Sequence, residues 1–272
     1  MAISEGTDAA HGDAMAAQML RAVRWVRQGW NGARRDLPFW LGMAALYLAG
    51  AALLARLPFA GPLLVLMLSP MLLAGALLAA EAETRAVSGP ETAYQRWVHQ
   101  PGAALFAALT DADRVYSTVL LGIIVLGLIV TTFIIEYLFG FGSLHTLFSR
   151  SLYRATSIWA ILPGIAGAAI LQILLAMALV YAVHRTVLAG RDPFAGIAES
   201  FTACARHPVA LATFGVIFLV PYIAVMIAFR FSTALGYVLL LAIGSIALPV
   251  SVIATLASYR EIFPASLSNR PR

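Results

Sequence analysis

Of the 272 residues in this chain, 61% are hydrophobic and only 11% charged, and the mean hydropathy is +0.86, which leaves too little polar surface for a water-soluble fold around one core. All 18 basic residues are arginine and the net charge is +5. The excess lacks a contiguous basic face with interleaved aromatics, so it does not read as a nucleic-acid footprint, and no nucleic-acid partner is expected.

Residues 1–13 are small and polar, with Glu5, Asp8 and Asp13, and are expected to be disordered. Their acids are unlike the basic start of a cleavable signal. Over 14–35 the spacing predicts a basic amphipathic helix. Met15, Met19, Ala22, Val23, Val26 and Trp30 share one side, while Arg21, Arg24, Arg27 and Arg34 take the rest. Such a helix is expected to lie along the cytoplasmic membrane surface, where each arginine gains about 1 kcal/mol from anionic headgroups.

A transmembrane domain is expected over 36–263, with six spans near 37–55, 57–80, 115–137, 157–183, 208–229 and 233–257, and a tail at 264–272. Each run is long enough to cross roughly 30 Å of hydrocarbon at about 1.5 Å per residue. Lipid offers the backbone no hydrogen bonds, so runs of this length are expected to be helices. Ten-residue alternating segments, the mark of a transmembrane barrel, are not seen. The expected fold is all-α and polytopic.

Two connections on the same side resemble each other. Ser88-Gly89-Pro90-Glu91 opens one helix and Asp192-Pro193 the other, with Asp192 as N-cap. Phe194, Ile197, Phe201 and Cys204 then form an apolar stripe. With the helix at 14–35 this makes about three amphipathic cytoplasmic helices, and the similar flanks point to a diverged repeat of span, in-plane helix, span. Fourteen arginines fall on the side that carries the termini, against Arg56, Arg150, Arg154 and Arg230 on the other. By the positive-inside rule both termini are cytoplasmic.

Trp25-Val26-Arg27-Gln28-Gly29-Trp30, the Pro38-Phe39-Trp40 opening of the first span and the Tyr259-Arg260-Glu261-Ile262-Phe263 ending resemble a family of uncharacterised bacterial six-span membrane proteins. Pro193, Ser200 and Cys204 resemble the family's second loop. Family members more often carry aspartate where this chain has Glu261. A looser similarity is to the membrane modules fused to glycerophosphodiester phosphodiesterases, whose catalytic domain this chain lacks. The resemblance implies an inner-membrane location and carries no activity.

Intramembrane polar groups are the natural candidates for function. Glu136 sits near the far end of the third span and Gln172 midway along the fourth. Ala160, Gly164 and Ala168 mark the fourth span as the most buried or oligomerising one. Prolines interrupt several spans, and Ser69-Pro70 pairs with Leu248-Pro249. No metal set, cofactor motif or catalytic constellation emerges, so no enzyme activity, metal or cofactor is expected. The leading expectation is a protein that organises anionic lipid, a membrane-protein partner or its own copies at the cytoplasmic face. Arg21, Arg24, Arg27, Trp25 and Trp30 would form one surface, and Phe194, Ile197 and Phe201 another. The alternative is a small-solute transporter or channel, with a midplane cavity touching Gln172, Ser69 or Ser251.

Overall fold

The computed structural model describes residues 3–58, 60–86, 101–138 and 158–264. Within them the chain is helical, without strands. Helix α1 (Ile3–Ala33) runs through a short 3-10 turn (Arg34–Asp36) into α2 (Leu37–Leu54). There follow α3 (Ala60–Ala86), the short α4 (Pro101–Leu105) and α5 (Ala107–Thr110), and α6 (Ala112–Leu138). After these come α7 (Ile158–Leu179), the short α8 (Ala182–Val187), α9 (Pro193–Arg206), α10 (Pro208–Phe231) and α11 (Thr233–Ile262). Among the described residues, six helical stretches are long and apolar enough to cross a membrane, the first of them the continuous Gly12–Leu54. The chain is thus a multi-pass membrane protein by length and composition. The in-plane helix expected after Ser88 lies outside the described residues.

Helix α1 begins at Ile3, eleven residues before the expected start, and so takes in most of the segment expected to be disordered. Alanine, frequent in this stretch, has the highest helix propensity. The side of α1 that packs overlaps the expected apolar side only at Ala22 and the half-buried Val26. Ala22, Trp25, Gly29 and Ala33 are buried, facing α10 and α11, whereas Met15, Met19, Val23 and Trp30 stay exposed. The reason is steric: a Cβ on Gly29 would meet the Val250 carbonyl and Ala254, so small residues here let two backbones touch.

Among the described residues the most enclosed window is that of α3, half buried, against 22% for Ala166–Val187; the surroundings of Ala160 and Gly164 on the fourth span lie outside the described residues. Helix α3 is packed by α2, α4, α5, α6, α8 and α11. Helix α4 packs between α2 and α3, placing the Ala104 and Leu105 carbonyls against Gly75, and α5 packs on α3 and α6. On α7, Ala168 is buried but Ile170, Ile173 and Leu174 are exposed.

Candidate functional site: the arginine-rich end

The ends of α3 and α11, the start of α2, the Arg21–Trp25 part of α1 and the helices α8 and α9 lie at the arginine-rich end of the bundle. Helix α7 stops at Leu179, and the chain turns through Val180-Tyr181 into α8. Breaking a helix frees backbone groups that must find partners when buried. Ser200 on α9 supplies them. Its hydroxyl donates to the Met177 carbonyl at 2.8 Å and accepts from the Tyr181 N–H at 3.0 Å. The Cys204 thiol reaches the same Met177 carbonyl at 3.5 Å. Burial pushes that thiol up to about 11. Asp192 caps α9, accepting from the N–H groups of Phe194 and Ala195. The loop residues Pro193, Ser200 and Cys204 therefore all serve to seat α9 on the break; Pro193 opens the helix and is itself buried.

The Tyr259–Phe263 ending acts residue by residue as a clasp. Tyr259 stacks on His184 at 5.2 Å between centroids. Arg260 donates to Thr84 of α3 at 2.7 Å. Glu261 accepts from the Trp25 indole of α1 at 2.6 Å and lies 3.7 Å from both Arg21 and Arg24. Phe263 carries the Arg185 guanidinium over its ring at 4.8 Å, and Arg185 in turn pairs with Glu199 of α9. Arg191 adds to Glu199 at 3.4 Å. Trp40 at the start of α2 donates to Glu83 at 3.1 Å. Tyr181 donates to Ser258 at 2.9 Å. Neither ring nitrogen of the buried His184 has a hydrogen-bond partner.

The sequence-derived candidates divide accordingly. Trp25 is 2% exposed, so it is a packing residue and not part of a lipid-facing surface; its indole faces Glu261 and its ring meets Phe214 edge-on. Arg21 and Arg24 are about half exposed and share Glu261. Arg27 and Trp30 are exposed. On α9 the expected stripe splits: Cys204 is buried, Ile197 is half-buried, and Phe194 and Phe201 are exposed. Buried Gly196, Ser200 and Ala203 show that α9 docks through its small residues.

Ser69 and Ser251 both line one cavity of about 270 Å³, with Tyr47, Pro70, Leu179 and Leu248. Gln172 is exposed on α7 and does not line it. Glu136 falls in the last turn of α6, and its side chain lies outside the described residues. Among the described residues no group of three His, Cys, Asp or Glu converges as metal ligands would. Sequence reasoning missed the clasp roles of Thr84, Glu83 and Glu199, since polar residues at span ends read equally well as hydrated. Comparison with protein families, curated proteins and solved structures returns no match.

Proposed function

We propose that this chain is a bacterial inner-membrane protein with both termini in the cytoplasm, which gathers anionic lipid at its cytoplasmic face without catalysing a reaction. One observation carries the reading: α1 has two working faces. The first, Ala22, Trp25, Gly29 and Ala33, is consumed in docking to the bundle. The second exposes Leu20, Val23, Arg24, Arg27 and Trp30 together, apolar side chains interleaved with arginine. An interfacial helix uses such a face to sink apolar groups below the headgroups while its cations meet them. Exposed Phe194 and Phe201 on α9 give a second apolar surface at the same end. The six-span family resembled by the Tyr259–Phe263 ending fits this location. Docking rather than free floating gives the arginines a set position, which favours recruiting lipid or a protein partner over simple anchoring.

The test is the lipid content of protein extracted in a native membrane patch without detergent. The parent is expected to be enriched in phosphatidylglycerol, and replacing Arg21, Arg24 and Arg27 by glutamine should bring it down to the bulk ratio. Equal enrichment in both proteins would overturn the reading. A transporter is the second reading, resting on the spans interrupted by Pro70 and Pro249. It requires solute flux in proteoliposomes that Ser69→Leu abolishes.

A further inference from the structure

The cavity behind Tyr47 has a chemistry of its own. Tyr47 lies ten residues into α2 and Ser69 nine residues into α3, each about 15 Å from its helix start and so near the middle of a roughly 30 Å hydrocarbon layer. A second lobe of about 220 Å³, lined by Leu46, Gly50, Leu68 and Phe106, shares Tyr47, Ser69, Leu72 and Leu105 with the first. The two lobes flank one hydrogen-bonded pair. Ser69 gives its proton to the Val65 carbonyl at 2.6 Å, so the 2.9 Å contact is Tyr47 donating to Ser69. Ser251 likewise donates to the Leu248 carbonyl of its own helix at 2.8 Å. The hydroxyl protons of the wall are thus all committed within the protein, and the remaining lining side chains are apolar.

Such a space suits neither a hydrated solute nor water, which needs two to four polar partners. Neither lobe is sealed, and each exceeds the roughly 150 Å³ of an apolar cavity lined by Leu, Ile and Phe that takes up benzene. By that proportion the first lobe has room for roughly 11 carbon atoms and the second for roughly 9, each a length of fatty chain. Pro70 lines the wall and Pro249 follows the lining residue Leu248; each removes a helical hydrogen bond, so α3 and α11 lack a regular backbone ladder beside the space.

We propose that the two lobes around Tyr47–Ser69 form an intrabundle site for the acyl chain of a bilayer lipid. The inference is independent of the arginine-bearing face of α1, because the cavity selects a chain and not a headgroup. The experiment uses the full chain in bilayers of a zwitterionic phospholipid carrying a diazirine in its acyl chain, followed by photolysis and peptide mapping. Adducts are expected on Tyr47, Leu72 or Leu105 in addition to outward-facing Val216 and Val220. Filling the space with Leu72→Trp or, from α6, Ile129→Trp should cut the inner adducts at least tenfold and leave the outer ones unchanged. The parent map decides even where a variant fails to fold: labelling confined to outward-facing residues would overturn the site. Inner labelling that survives both tryptophans would overturn it too. Since the probe has no net charge, loss of phosphatidylglycerol enrichment with intact inner labelling would sink only the headgroup reading.

Discussion

Ser200→Ala is the sharpest probe of how the arginine-rich end is built. The side chain has no exposure, and its hydroxyl is the partner of two main-chain groups on either side of the α7–α8 break, the Met177 carbonyl and the Tyr181 N–H. Removing it strands the N–H outright, while the carbonyl keeps only the long Cys204 contact at 3.5 Å. A buried group left without a partner costs about 1–3 kcal/mol, so one full loss and one partial loss come to roughly 2–4 kcal/mol. At about 2–4 °C per kcal/mol for a chain of this size, the midpoint of thermal unfolding should fall by roughly 5–15 °C. Thermal shift of the purified protein measures this, and hydrogen exchange at the Tyr181 amide locates it. Thr202→Ala on the same helix is the control: its hydroxyl is exposed and bonds only its own helix at Ala198, so the midpoint should stay within a degree or two. If Ser200→Ala behaves like that control and the Tyr181 amide stays protected, the break is not held by α9 and the reasoning is wrong.

Glu261→Ala should release α1, since it removes the acceptor for the Trp25 indole and the shared partner of Arg21 and Arg24. The global cost is small, about 1 kcal/mol for a group this exposed, but tryptic cleavage at Arg21, Arg24 and Arg27 should speed up several-fold. An unchanged cleavage rate would show that α1 holds without the clasp. Gly75→Val should destabilise strongly, because any Cβ there runs into the Leu105 and Ala104 carbonyls and forces α4 away from α3; a parent-like unfolding midpoint would contradict that contact. Cys204 should resist maleimide at neutral pH until the chain is denatured, its thiol being pushed up to about 11 by burial. The unfolded thiol gives up its proton near 9 and the folded one near 11, so its contribution to stability is complete below pH 9 and is lost as pH rises toward 11. Cys204→Ala should flatten that part of the pH–stability curve.

The amphipathic helix shows where reading a sequence reaches its limit. Its apolar residues at 15, 19, 22, 23, 26 and 30 are visible as a stripe, which hydropathy alone assigns to the membrane surface. Docking uses Ala22 from that stripe together with Trp25, Gly29 and Ala33 from outside it, because close backbone approach and the Trp25–Glu261 hydrogen bond select the face, while lipid satisfies the rest of the stripe equally well. In a bilayer the hydrophobic effect does not choose between helix faces, so packing of small residues and polar contacts does. Trp25 is buried for that reason rather than facing lipid.

What the residues settle unaided is class and period. Six uncharged runs of span length leave the backbone only its own hydrogen bonds, and Asp192 before Pro193 sets the start of α9 by cap chemistry alone. Both follow from local sequence and the solvent. The tertiary structure decided everything that depends on which helix meets which. It put Glu261 under Trp25 across 236 positions, set Ser200 into the break at Tyr181, and brought Tyr47 and Ser69 together between two apolar lobes. Apolar spans are interchangeable by hydropathy. Their partners are selected by side-chain shape and by a few polar atoms whose distances exist only once the bundle has formed.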